Sequence, residues 1–192
     1  MYSDTRKLIV FSAPSGSGKT TIVRHLLNAT DLPLAFSISA TTREPRPGEV
    51  DGKDYYFLSV EAFKKRIAEE AFVEWEEVYE GVFYGTLKSE IERIWNARKS
   101  VVFDIDVEGG ISIKRYFGEK AFTIFVQPPS IDDLRKRLEE RNTEGPEQLE
   151  TRVSKASKEL QRAPEFDTIL INDQLEMALV KAEQIAAQFL SE

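Results

Sequence analysis

A chain of 192 residues is long enough for one compact domain with a sizeable core, and 41% apolar with 31% charged residues is an ordinary composition for a globular protein. Without cysteine there are no disulfides and no thiolate metal sites. A net charge of −7, from 33 acids and 26 bases, disfavours a general nucleic-acid binder. The opening MYSDTRKLIVF holds no apolar stretch long enough for a signal peptide, and nothing approaches membrane-spanning length, so a reducing, cytoplasmic setting is expected, with no membrane partner.

In chain order, the apolar run Leu8–Phe11 reads as a buried strand and 19–28 as the helix after it. Between them lies SAPSGSGKTT. Ala13, Pro14, Ser15, Gly16, Ser17, Gly18, Lys19 and Thr20 fit the phosphate-binding loop pattern, with alanine where its first glycine usually stands. Small residues let backbone N–H groups converge on phosphate oxygens, and the helix opening at Thr20 and Thr21 adds its positive end. Lys19 would neutralise β- and γ-phosphate charge, and Thr20 would place its hydroxyl on Mg²⁺. Ala13 sits at the loop entrance, so the loop is expected to survive it.

Residues 34–86 differ in character. Short aromatic strands and turns, with one helix near 60–69, read as a small mixed insertion. FSISATTREPRPGEVDGKDYYF offers Ser39, Arg43, Arg46 and Tyr55 as a second anion site, since guanidinium forks match phosphate oxygens. The arginine pair alone reads equally as a solvated basic loop. In FVEW and FYGT, Glu74 could accept paired hydrogen bonds from guanine N1–H and its 2-amino group. Thr86 could donate to guanine O6. Taken alone, Glu74, followed by Glu76 and Glu77, reads as an exposed strand acid.

Helix 87–97 precedes a buried strand, VVFDID, whose Asp104 and Asp106 alternate onto one face. One could hold an Mg²⁺-bound water and the other approach a base, and spacing does not assign them; Asp106 could instead cap a helix beginning near Val107. Strand 122–126 and helix 130–140 follow. The polar segment 141–152, broken by Gly145-Pro146, reads as a mobile flap before helix 147–163. Asn172 and Asp173, after strand 169–171, sit by adenine or ribose, or form a plain turn before helix 174–190. His25 reads as structural.

Taken together, six segments in order resemble the guanylate kinase family: SAPSGSGKTT, FSISATTREPRPGEVDGKDYYF, FVEWEEVYEGVFYGT, VVFDIDVEGG, QPPSIDDLRKRLEERNTE and FDTILIND. The resemblance implies a P-loop α/β fold and Mg²⁺-dependent phosphoryl transfer from ATP to GMP or dGMP. It implies that Tyr84 joins Ser39, Arg43, Arg46 and Tyr55 on the GMP phosphate, and that Glu74 and Thr86 read guanine with Asp104 or Asp106. It also puts Arg141 and Arg152 at the transferring group and Arg137 near the ATP phosphates. A parallel core is expected from 1–33, 87–127 and 156–192, with 34–86 as GMP-binding subdomain and 128–155 as lid. Composition leaves monomer and homodimer open.

Overall fold

The structure, a computed structural model, describes residues 6–140 and 146–192. Strand β1 (Leu8–Ser12) leads into helix α1 (Lys19–Ala29) and strand β2 (Leu34–Phe36). Then come β3 (Ala40–Thr41), β4 (Tyr56–Phe57), α2 (Val60–Ala68), β5 (Phe72–Tyr79) and β6 (Val82–Leu87). Helix α3 (Lys88–Asn96), β7 (Ser100–Ile105), α4 (Val107–Phe117) and β8 (Ala121–Gln127) follow. The chain continues with α5 (Ile131–Glu140), α6 (Pro146–Leu160), β9 (Thr168–Ile171) and α7 (Leu175–Ser191).

Five parallel strands stand in the order β2-β7-β1-β8-β9. Leu8, Ile9, Val10 and Phe11 are fully buried, because helices cover both faces of a parallel sheet. Period-two alternation divides them: Ile9 and Phe11 join the cluster under α1 and α7, while Leu8 and Val10 join the one under α3 and α4. Ala178, Ala182 and Ala186 recur every fourth residue on α7, and their small side chains are buried in the first of these clusters. Because β1 lies between β7 and β8, the strand order reverses at its carboxyl end. Open α/β sheets bind ligands at that point.

A second sheet, β4-β3-β6-β5, belongs to the insertion. It has its own small core, in which Phe63 stacks on Phe72 and Phe83 at 4.3 and 5.4 Å. Residues 34–36 lie outside it. Placed with the insertion on sequence, they form the edge strand of the core sheet beside β7, since Leu34 is buried under the core helices. Helices α5 and α6 pack on each other through Leu134, Leu138, Val153 and Ala156. Of the segment read as a flap, residues 146–152 are the opening turns of α6, which presents Val153 and Ala156 to that cluster. His25 Nε2 meets the Glu183 carboxylate on α7, a hydrogen-bonded packing contact between two helices.

Candidate active site

Between β1 and α1 the chain wraps a cavity of about 330 Å³ at the carboxyl edge of the sheet. Gly16 and Gly18 take φ of 91° and 87°, in the left-handed region that favours glycine. A Cβ on Gly18 would stand 2.3 Å from Asn172 Nδ2. Ala13 needs no such freedom: among the described residues only Glu70 and Arg98 combine a side chain with positive φ. Its methyl is buried in the same cluster as Phe11 and Ile22. Ser17 faces the cavity, and its buried hydroxyl has no hydrogen-bond partner among the described residues.

Pro14, Ser15, Lys19, Thr20 and Thr21 also line this cavity. Lys19 Nζ lies 2.7 Å from Asp104 Oδ1 and donates to the Ile105 carbonyl at 2.5 Å. The parallel register of β1 with β7 makes that contact possible, setting Phe11 beside Asp104 and Ser12 beside Ile105. Asp106 lies one residue past β7. Its carboxylate caps α4, accepting from the Gly109 N–H at 2.7 Å. The capping reading of Asp106 is therefore the observed one, while its side chain still faces the cavity.

Asn172 is buried below the loop. Its Nδ2 donates to the Ser17 carbonyl at 2.8 Å, and its own carbonyl accepts from Arg137 Nη2 at 2.9 Å. Asn172 thus props the phosphate loop from beneath. Asp173 is exposed and does not cap α7, whose N-cap is Gln174. Asn172→Ala would leave a buried carbonyl unpaired, which costs about 1–3 kcal/mol. Thermal unfolding with and without a nucleoside triphosphate should show lower stability and a smaller ligand-induced shift.

A second cavity, of about 350 Å³, lies between the insertion and the core. Ser39, Tyr55, Glu74 and Tyr84 line it, and so do Asp104 and Asp106. The two cavities thus meet at one pair of carboxylates. Arg43 stacks on Tyr55 at 4.8 Å, and Tyr55 meets Tyr84 edge-on at 6.0 Å. The expected convergence of Arg43 and Arg46 on one anion is partly changed. Glu49 takes both arms of the Arg43 guanidinium at 2.6 and 2.7 Å and also accepts the Arg46 N–H at 2.7 Å. The Arg46 side chain is exposed. A guanidinium fork in a half-buried loop needs an anion, and the chain's own carboxylate supplies one. The Arg43 hydrogen bonds hold the Glu49 carboxyl down at about 2.

Glu74 on β5 faces Thr86 on β6 in register, and the Thr86 hydroxyl donates to Glu74 Oε1 at 2.6 Å. Thr86 is completely buried. The hydroxyl expected to read a base donates here to this carboxylate, a strong acceptor. Glu74 is half-buried rather than an exposed strand acid. Burial first, and the Asp106 charge after it, push its carboxyl up to about 7 despite the Thr86 hydrogen bond. The folded chain therefore holds a proton there that the unfolded chain loses near 4.5, so stability is present at low pH and falls as pH rises from about 4.5 to about 7. Glu74→Gln should unfold like the parent at pH 4 and be more stable at pH 8, by roughly 1–3 kcal/mol. Melting curves at the two pH values check this.

Helix α6 faces the phosphate loop. Arg152 Nη1 is 3.4 Å from Ser15 Oγ, and Lys155 and Glu159 line the first cavity below it. Arg141 lies outside the described residues. Glu49, Lys155 and Glu159 escaped sequence reasoning. The signal for Glu49 is Pro47-Gly48: Gly48 at φ 88° turns the chain so that the acid returns to Arg43. For the others it is helical spacing, three and seven residues beyond Arg152.

Comparison with known proteins points one way. The family model described as guanylate kinase matches residues 5–188. A guanylate kinase of Bacteroides fragilis is 54% identical over 184 residues, covering 96% of this chain and 90% of that protein. One from Porphyromonas gingivalis is 50% identical over 185 residues, covering 96% and 98%. The crystal structure of guanylate kinase from Anaplasma phagocytophilum matches with a TM-score of 0.78 at 26% identity, over 100% of this chain and 89% of that one. No helix among the described residues is long and apolar enough to cross a membrane.

Proposed function

The chain belongs to the guanylate kinase family, and on that premise we propose how its two cavities transfer the γ-phosphoryl group of ATP to GMP, giving ADP and GDP. The observation that carries the reading is the junction of a phosphate-loop cavity and an insertion cavity at Asp104 and Asp106. ATP phosphates occupy the first, against the loop amides, the orphan Ser17 hydroxyl and Lys19. GMP occupies the second, its base at Glu74 and its phosphate toward Ser39, Tyr55, Tyr84, Arg43 and Arg46. To hold that phosphate, Arg43 must give up part of its contact with Glu49.

The acceptor oxygen needs no general base, because the second pKa of a phosphate monoester is about 6. The task is to bring two anions into line and exclude water, which falls to fixed positive charge. Lys19 and Arg137 serve the donor, Arg43 and Arg46 the acceptor, and Arg141 and Arg152 the group in transit. Thr20 and Asp104 are hard oxygen donors facing the first cavity, which fits Mg²⁺ held with the ATP phosphates. Bound there, Mg²⁺ would neutralise charge on the β- and γ-phosphates. With Lys19 turned from Asp104 to phosphate, that carboxylate would be free to help hold the metal. Thr86 acts through Glu74, fixing its carboxylate. Asp173 lies near the nucleoside of ATP, and we place the enzyme in the cytoplasm.

The insertion, here from Ser37 to residue 86, and the lid 128–155 are proposed to close over both substrates, since a site open to water would hydrolyse ATP. Small-angle scattering with a linked adenosine–guanosine polyphosphate should show a smaller radius of gyration, and unchanged dimensions would count against closure. The activity itself is tested by ADP release with GMP, dGMP, AMP, UMP and ribose phosphates. GMP and dGMP should be preferred by orders of magnitude, and equal rates for AMP would refute the assignment.

A further inference from the structure

Outside both cavities, on the first turn of α3, Glu90 is 2% exposed and carries a charge. A carboxylate is almost never buried so deeply without partners. Glu90 has four. Its Oε1 accepts from the Ile38 N–H at 3.0 Å and from Arg93 Nη2 at 2.8 Å. Its Oε2 accepts from the Tyr56 hydroxyl at 2.9 Å and from Arg93 Nε at 2.8 Å. Burial pushes this carboxyl up, but the Arg93, Ile38 and Tyr56 hydrogen bonds outweigh it and leave it lowered. The group is ionised at neutral pH, with every strong acceptor direction used.

What the four donors belong to gives the network a function. Ile38 precedes Ser39 and Tyr56 follows Tyr55, and both Ser39 and Tyr55 line the acceptor cavity. Successive residues of extended chain point to opposite sides, so the Tyr55 ring faces the cavity while the Tyr56 ring reaches back to Glu90. The same two segments are joined directly, the Tyr56 N–H donating to the Ser39 carbonyl at 2.9 Å. Glu90 also stands where the insertion meets the core: Ile38 is on the outgoing chain, and α3 begins directly after the returning strand β6. One buried carboxylate therefore ties both crossings between insertion and core and holds, from behind, two residues that face the acceptor.

We propose that Glu90, through Ile38 and Tyr56, is a positioning residue for the acceptor site, setting Ser39 and Tyr55 at the spacing that receives the phosphate of the nucleoside monophosphate. This rests on the assignment of the second cavity to GMP. Glu90 touches no substrate, and its action is on the acceptor side alone. The donor loop is built on β1 and α1 and is supported separately by Asn172.

Steady-state kinetics of Tyr56→Phe and Glu90→Gln test the proposal. Tyr56→Phe removes one hydroxyl. Glu90→Gln keeps the shape but loses the charge that binds Arg93. Both should raise the KM for GMP, about fivefold for Tyr56→Phe and tenfold or more for Glu90→Gln, since lost hydrogen bonds to a charged group loosen the geometry they held. The KM for ATP and the kcat at saturating GMP should stay within about twofold of the parent. Should Glu90→Gln fail to fold, Tyr56→Phe alone decides the matter. A lower melting temperature with unchanged KM for GMP would reduce Glu90 to a structural staple and overturn the proposal. Equal loss on both substrates would overturn it too, as general loosening. A parent enzyme that does not phosphorylate GMP would refute the functional assignment and this inference with it. A parent that does, beside variants with parental KM, would refute this inference alone.

Discussion

Lys19→Met is expected to lower kcat/KM for phosphoryl transfer by about 10³-fold or more while the chain still folds, because fixed positive charge at a transferring phosphoryl group is worth that much in related chemistries. Methionine keeps an unbranched side chain of nearly the length of lysine and removes the charge together with its N–H donors. In the free protein that charge is already gathered at the site: Nζ contacts Asp104 at 2.7 Å and the Ile105 carbonyl at 2.5 Å, with both side chains largely shielded from water. On the proposed function, ATP phosphate oxygens would take the place of the Asp104 carboxylate, an exchange of one anion for another that needs only a side-chain movement. Loss of the lysine leaves Asp104 without its ion-pair partner, so a modest stability change is also expected, and melting temperature should be recorded beside the rates. A variant that kept more than a tenth of parental activity would place Lys19 outside the reaction.

Glu74→Gln should lower the preference for GMP over AMP by about 10²-fold or more, since a site built to pair with particular donors rejects bases that lack them by roughly 10⁴-fold. Guanine presents N1–H and a 2-amino group side by side, and a carboxylate accepts both. An amide offers one acceptor and one donor, so it cannot accept from both of these groups at once. The Thr86 hydroxyl, 2.6 Å from Glu74 Oε1, survives the change, so the altered side chain stays in place. Because the parent carboxyl is pushed up to about 7, its acceptor capacity falls as pH drops below 7. The GMP preference of the parent should fall with it, and that of Glu74→Gln should not. Parental selectivity in the variant would mean that the base is read elsewhere.

The phosphate loop was legible because its signal is local. A buried strand, small residues with Gly16 and Gly18, then Lys19-Thr20 and a helix all lie within one stretch of chain. Burial of Ala13 in the core shows why alanine serves there: the residue directly follows β1 and never enters the left-handed region. The acceptor side was legible only in part, because its meaning depends on pairings across strands. Glu74 reads as a surface acid until β6 sets Thr86 beside it, and the tie between hydroxyl and carboxylate appears only once the strands pair. Arg43 reads as a free cation until the Gly48 turn returns Glu49 to it. Glu90 carried no signal, since a glutamate three residues before an arginine on a helix is an ordinary surface pair. Only the tertiary fold brings Ile38 and Tyr56 onto the same carboxylate.

On the proposed function, one nucleotide site lies on each side of Asp104 and Asp106, close enough for a phosphoryl group to cross. Calorimetric titration with adenosine and guanosine joined 5′ to 5′ by a polyphosphate chain tests it most directly. One molecule should bind per chain, at least about 10²-fold more tightly than ADP or GMP alone, as expected when two sites are engaged by one ligand. Both Lys19→Met and Glu74→Gln should weaken that binding. An affinity no better than that of ADP, unaffected by Glu74→Gln, would mean that the second cavity does not hold the acceptor.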